Sequence, residues 1–139
     1  MYENETWKPL TKFVFRDGRE IFFEGYDVSD HGRVRTYKQK YGRVSPGKKR
    51  PLLEKPYIIN GRPDSKGYIQ YQLSDIFFKR RNFRGHSLVM QAFRGVPDSG
   101  LIVCHYDDVK TNNHLHNLRY DTPKANAEDI KRNSKYKTS

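Results

Sequence analysis

"VCHYDDVKTNNHLHNLRYDTPKAN", residues 103–126, decides how this chain is read. The segment "LIVCH" (101–105) is apolar and β-prone, and ends in a histidine. "YDDVKTNNHLHN" (106–117) is a connection unusually dense in Asn and Asp, residues whose side chains compete for backbone hydrogen bonds and so favour turns and caps. "LRYD" (118–121) supplies a second strand, and "TPKANAEDIKR" (122–132) a helix with Thr122 as N-cap and Pro123 at its first position. Strand, loop, strand and capped helix make a ββα unit spanning about residues 101–132. Three of the five histidines, His105, His114 and His116, fall within it.

Working back towards the N-terminus, "HSLVMQAF" (86–93) carries Leu88, Val89 and Ala92 or Phe93 at helical spacing, and "VPDSG" ends that helix. "GYIQYQLSD" (67–75) and "PLLEKPYIIN" read as strand material around the turn "GRPDSKG". "IFFKRRNFRG" (76–85) interleaves Phe77, Phe78 and Phe83 with Lys79, Arg80, Arg81 and Arg84, so core contact on one strand face and phosphate contact on the other is expected. "KFVFRDGREIFF" (12–23) is a hairpin around Asp17-Gly18, and "GYDVSDHGRVRTY" (25–37) is strand, turn and strand. The run from Arg33 to Arg50 holds Arg33, Arg35, Lys38, Lys40, Arg43, Lys48, Lys49 and Arg50 without one acidic residue.

The bulk numbers set the outer bounds. A chain of 139 residues is about one domain long, and a mean hydropathy of −0.99 leaves little apolar material for its core. Aromatics at 14% argue against wholesale disorder. A net charge of +11 points to a polyanionic partner, because cations that neutralise phosphates release condensed counterions. One cysteine excludes an internal disulfide framework and a CxxC zinc site, so a reducing, cytoplasmic compartment is expected. No apolar run approaches membrane-spanning length, and "MYENETWKPL" lacks the order of a signal peptide.

Hydrolysis of a phosphodiester needs an activated water, stabilisation of charge on phosphorus, and help for a departing alkoxide. A neutral histidine can do the first and a divalent cation the other two. His105 ends the first strand and Asn126 lies one turn into the helix, where compact packing would bring both to one face. The helix N-terminus adds partial positive charge and N–H groups suited to phosphate. Asn117, before the second strand, is placed to hydrogen-bond the loop and hold the His105 ring.

His105, Asn117 and Asn126 within "HYDDVKTNNHLHNLRYDTPKAN" resemble the HNH (ββα-metal) endonucleases of the phage and group I intron homing type. There the pattern runs His-x-Asp-Gly-x-x-x-Asn-Asn-x-x-x-Asn-Leu-x-Trp-x-Thr-x-x-x-Asn. "GHSLVMQAF" resembles that family's His-Arg-Leu-Val-x-x-Ala-Phe helix, and "WKPL" with "GYDVSDHGRVRTY" resembles its N-terminal nuclease-associated module. The resemblance runs from about Trp7 to about Asn126. It implies an α+β fold in which a small N-terminal antiparallel β lobe (1–50, with a basic loop) precedes the HNH domain (51–139). It implies a metal-dependent DNA endonuclease with His105 as general base, Asn117 fixing the loop and Asn126 as metal ligand through its amide oxygen. The implied cofactor is one divalent ion, Mg²⁺ or Mn²⁺.

The implied partner is double-stranded DNA rather than a membrane. It would be gripped by the basic residues of 33–50 and 79–84 together with Arg119 and Lys124, and cut by a homodimer or nicked by a monomer. Two positions depart from the family. Cys104 stands where an acidic or amide ligand often precedes the base, and is read first as a packed strand residue and second as a ligand. Asp108 replaces the glycine of His-x-Asp-Gly and is the other candidate for approach to the metal. The rival function is a catalytically impaired HNH-fold protein that binds nucleic acid without cutting it.

Overall fold

The computed structural model describes residues 4–39 and 51–134; of the expected DNA contacts, Lys40, Arg43, Lys48, Lys49 and Arg50 lie outside them. Eleven short strands and two helices follow in order among the described residues. Strands β1 (Trp7–Pro9), β4 (Tyr26–Ser29), β5 (Val34–Thr36) and β6 (Tyr57–Ile59) form an antiparallel sheet, joined in the order β1-β4-β5-β6. β2 (Lys12–Val14) and β3 (Glu20–Phe22) pair as the expected hairpin, with Asp17 Oδ1 accepting the Arg19 N–H at its turn. A third sheet is built from β7 (Arg62–Pro63), β8 (Ile69–Ser74) and β9 (Arg80–Arg84). The boundary expected after residue 50 falls inside the first sheet, because β6 pairs with β5 in register Val34↔Ile59.

β9 runs directly into helix α1 (Gly85–Arg94), and β10 (Ile102–His105) then pairs antiparallel with β11 (Leu118–Asp121), setting His105 opposite Leu118. A 3-10 turn (Leu115–Asn117) feeds β11, and α2 (Pro123–Ser134) closes the ββα unit. Thr122 caps α2 as its sequence requires, its Oγ1 accepting the Ala125 N–H at 3.1 Å.

One core serves all of these elements. Phe83 of β9 meets Phe13 and Phe23 edge-on, at centroid distances of 5.0 and 5.4 Å. Leu88, Val89 and Met90 of α1 and Leu118 of β11 are buried in the same cluster as Leu10, Val28 and Val34. Gln91 of α1 exchanges two hydrogen bonds with the backbone of Val14, each 2.9 Å, stapling the helix to the β2–β3 hairpin. Truncating a ring such as Phe83 to alanine in such a core costs about 3–5 kcal/mol. The α1 helix is thus the shared floor of the N-terminal strands and the ββα unit.

Candidate active site

His105 sits at the end of β10, buried, with its Nε2 2.9 Å from Asn113 Oδ1. An amide oxygen can only accept, so this contact assigns the ring proton to Nε2 and leaves the lone pair on Nδ1. The ring is walled on one side by His86, edge-on at 5.2 Å, and by Tyr68 at 6.1 Å. His86 is itself buried, and burial first, then the nearby His105 and Arg84, pulls its pKa down to about 3. The His86 imidazole is therefore neutral and packs against His105 without contributing charge.

Asn113 reaches His105 because two glycines clear its path. A Cβ on Gly32 would lie 2.8 Å from Asn113 Cβ, and one on Gly85 would lie 3.0 Å from Asn113 Nδ2. Gly32 also holds φ +88°, a conformation other residues take at a cost. The β4–β5 turn that contains it is organised by Ser29 Oγ, which accepts from the His31 and Arg33 N–H groups. The Leu115 N–H donates to the Asp30 carbonyl at 2.8 Å, and the His31 and His114 rings meet at a tilt with centroids 4.6 Å apart. The N-terminal sheet thus braces the loop that orients the candidate base.

Asn117 fixes the loop from within. Its Nδ2 donates to Asp107 Oδ1 and to the Asn112 carbonyl, both at 2.9 Å, and its Oδ1 accepts from the Asp107 N–H at 3.3 Å. The residue that holds the His105 ring is therefore Asn113, and Asn117 acts one step removed. Burial pushes the Asp107 carboxyl up, but hydrogen bonds from Asn112, the Val109 N–H and Asn117 outweigh it and hold the group below the usual carboxylate range. Asp108 adopts φ 58°, the left-handed conformation that explains glycine at the matching family position, and its N–H closes a turn on the His105 carbonyl.

Asn126 lies in the fourth position of α2, which packs against β10. Ala125 and Asn126 are half-buried between exposed Lys124 and Ala127, so this is the side of the helix turned towards the strands. The first-turn N–H groups are a smaller resource than expected. Pro123 has none, Ala125 donates to Thr122 Oγ1, and Asn126 donates to the Thr122 carbonyl. Cys104 is fully buried in β10, in keeping with its first reading as a packed strand residue. No group of three His, Cys, Asp or Glu side chains is arranged to hold a metal ion among the described residues. The donor expected from the sequence, the amide oxygen of Asn126, is a hard ligand of the kind that suits a cation completed by water and phosphate oxygens.

The basic residues divide into two sets. Arg33 is paired with Glu5, Arg35 with Asp27, Arg81 with Asp75, Arg84 with Asp64 and Arg119 with Asp121, each with a contact of 2.9 Å or less. Arg35 also lies 4.2 Å over the Trp7 ring, and Lys38 Nζ donates to the Ser74 carbonyl, so these cations are built into the sheets. Lys79, Arg80 and Lys124 are exposed. Lys110, which the charge pattern did not single out, stands with Arg84 over the Tyr68 ring, at 5.0 and 4.3 Å, on the flank of His105. A cleft of about 350 Å³ between β5–β6 and β8–β9 is lined by Lys38, Asn60, Gln72 and Arg80 but by none of His105, Asn117 and Asn126.

Residues 84–128, which carry α1, the His105 loop, Asn117 and Asn126, match the HNH endonuclease family HNH_3. The helix α1 and the ββα unit are thus the part of the chain that is similar to HNH endonucleases. A solved structure of DNA binding and cleavage by the HNH homing endonuclease I-HmuI is similar to the chain as a whole, with a TM-score of 0.59 and 25% sequence identity. The likeness covers 96% of this chain and 62% of that one, so the chain spans less than two thirds of the neighbour's length. No curated protein matches the chain by sequence. The structural likeness thus extends beyond residues 84–128 to the strands before them.

Proposed function

We propose that the protein is a divalent-metal-dependent DNA endonuclease that hydrolyses phosphodiester bonds. The observation that carries this reading is the buried His105 Nε2–Asn113 Oδ1 contact, which leaves Nδ1 as the basic nitrogen at the end of β10. In this mechanism His105 Nδ1 takes a proton from the attacking water as its oxygen bonds to phosphorus and the P–O bond to the leaving alkoxide breaks. Asn113 keeps the ring in the reactive tautomer, and Asn117 holds the loop that presents Asn113. Asn126 would hold the cation, which when bound supplies charge stabilisation at the phosphate and the leaving oxygen. Mg²⁺ and Mn²⁺ suit an amide-oxygen ligand best.

The duplex would lie across the β7–β8–β9 sheet. Its register pairs Gln70 with Arg84, Gln72 with Asn82 and Ser74 with Arg80, placing these side chains on the face opposite the core residues Tyr71, Phe83 and Leu73. Gln and Asn side chains such as Gln70, Gln72 and Asn82 can pair with base edges, and an antiparallel ribbon fits the major groove. Exposed Lys79, Arg80 and Lys124 would contact phosphates, which dominate such interfaces. A single, buried cysteine, Cys104, fits work in a reducing, cytoplasmic setting. One HNH unit cuts one strand, so a monomer nicks and a homodimer cuts both strands.

The test is a supercoiled plasmid incubated with Mg²⁺ or Mn²⁺. Wild type nicks or cuts, whereas His105→Ala retards the plasmid in a gel without cutting it. The second reading, an HNH-fold DNA-binding protein without activity, is favoured by the burial of Cys104 where a ligand often stands. It prevails if wild type binds but cuts with neither ion.

A further inference from the structure

The β8–β9 turn, residues 75–79, exposes two large rings where a soluble protein usually hides them. Phe77 is 82% and Phe78 67% exposed, with Ile76 at 42% and Phe22 at 45% beside them. The turn is not slack. Asp75 is buried, and its Oδ1 accepts from the Phe77 and Lys79 N–H groups while its Oδ2 accepts from Arg81 at 2.7 Å. The Asp75 N–H donates to the Lys79 carbonyl, the Phe78 N–H closes back on the Asp75 carbonyl, and the Ile76 N–H ties the tip to Phe22 of β3. Phe78 stands at φ 65°. A carboxylate thus anchors the backbone in a shape that holds both rings outward.

We infer that Phe77 and Phe78 are a wedge that enters a base step of the bound duplex and unstacks it. Apolar side chains on the tip of a protein element, flanked by cations, are a recurrent means of kinking DNA. The flanking cations here are exposed Lys79 and Arg80. They complement phosphates, and they would oppose each other if the tip met its counterpart on a second copy, which disfavours a dimer contact. This inference rests on the DNA-binding reading above and adds a mode of engagement to it. The other end of the same hairpin carries Arg84 and leads into His86, against which His105 packs. Five residue steps of strand separate Lys79 from Arg84, about 17 Å, so the wedge would engage the duplex away from the phosphate at His105.

Unwinding of a closed plasmid reads this without knowledge of the target site. Plasmid is relaxed by a metal-independent topoisomerase in chelator, in the presence of full-length His105→Ala protein, which cannot nick it. After protein removal the plasmid is expected to be negatively supercoiled in proportion to bound protein. Adding Phe77→Ala and Phe78→Ala should cut that change about fivefold or more per bound molecule, while gel retardation stays within about threefold. Both sites are exposed, and unchanged thermal unfolding of the triple variant checks that the turn still folds. Retardation by the parent without a change in linking number overturns the wedge and leaves the nuclease reading intact. Equal unwinding by the triple variant, or a dimer in sedimentation that depends on the two rings, overturns it equally. Failure of the parent to retard DNA at all defeats the DNA-binding reading, and the wedge with it.

Discussion

Asn113 Oδ1 meets His105 Nε2 at 2.9 Å in a buried contact, and nothing else so directly decides what the imidazole can do. The bond selects the tautomer with a basic Nδ1. Replacing Asn113 by alanine should lower single-turnover cleavage about 10–100-fold, as small misplacements of reacting groups do, with little change in DNA affinity. Asn113→Asp keeps an acceptor in place and should retain more activity than the alanine variant. A rate for Asn113→Ala equal to wild type would remove the tautomer argument.

Gly32 controls the same contact from far away in sequence. An alanine there must hold φ +88° and press its Cβ to 2.8 Å from Asn113 Cβ. The left-handed backbone and the overpacking together should destabilise the fold by about 2–4 kcal/mol in urea unfolding. Cleavage should fall in the surviving native fraction as well, because Asn113 is displaced. A variant that is destabilised yet fully active per folded molecule would separate the brace from the chemistry.

Asp108 gives the opposite sign. At φ 58° a glycine is the relaxed residue, so Asp108→Gly should stabilise the protein by about 1 kcal/mol. Cleavage and its metal dependence should persist. A large rise in the Mn²⁺ concentration needed for cleavage would instead give Asp108 a part in holding the ion.

The ββα unit was legible from residues 101–132 because its signals are local: an apolar strand, a polar loop, and Thr122-Pro123 at a helix start. The hairpins at Asp17-Gly18 and around Gly32 were legible for the same reason. What was not legible depended on partners distant in sequence. Asn112, Asn113 and Asn117 are chemically alike, and only the approach of Gly32 and Gly85 to Asn113 shows which one touches His105. The charges of Arg33, Arg35 and Arg81 look available until Glu5, Asp27 and Asp75 are folded against them. Lys110 escaped notice because it is a single cation in a polar loop, and its place beside Tyr68 is tertiary. Phe77 and Phe78 were taken together with Phe83, yet the strand that carries Phe83 begins only at Arg80, and of the three rings only Phe83 is core.

His86 makes stability depend on pH in a defined window. Its folded pKa, near 3, lies below the ordinary histidine value, so on acidification the unfolded chain takes up a proton that the native state refuses. The contribution is complete above about pH 6.5 and erodes as pH falls towards 3, at up to about 1.4 kcal/mol per pH unit. His114, whose pKa burial also lowers, adds a term of the same sign. Urea unfolding from pH 4.5 to 6.5 should show a shallower slope for His86→Leu than for wild type. Identical slopes would mean that His86 is protonated, or exposed, in the native state.

The most direct measurement is the position of Mn²⁺, located by its anomalous scattering in a crystal of the protein bound to duplex DNA. The ion should lie within about 2.0–2.3 Å of Asn126 Oδ1 and of a phosphate oxygen, with His105 Nδ1 facing the phosphorus from the side opposite the leaving oxygen. An ion bound away from Asn126, or a scissile phosphate that His105 Nδ1 does not face, would contradict the account.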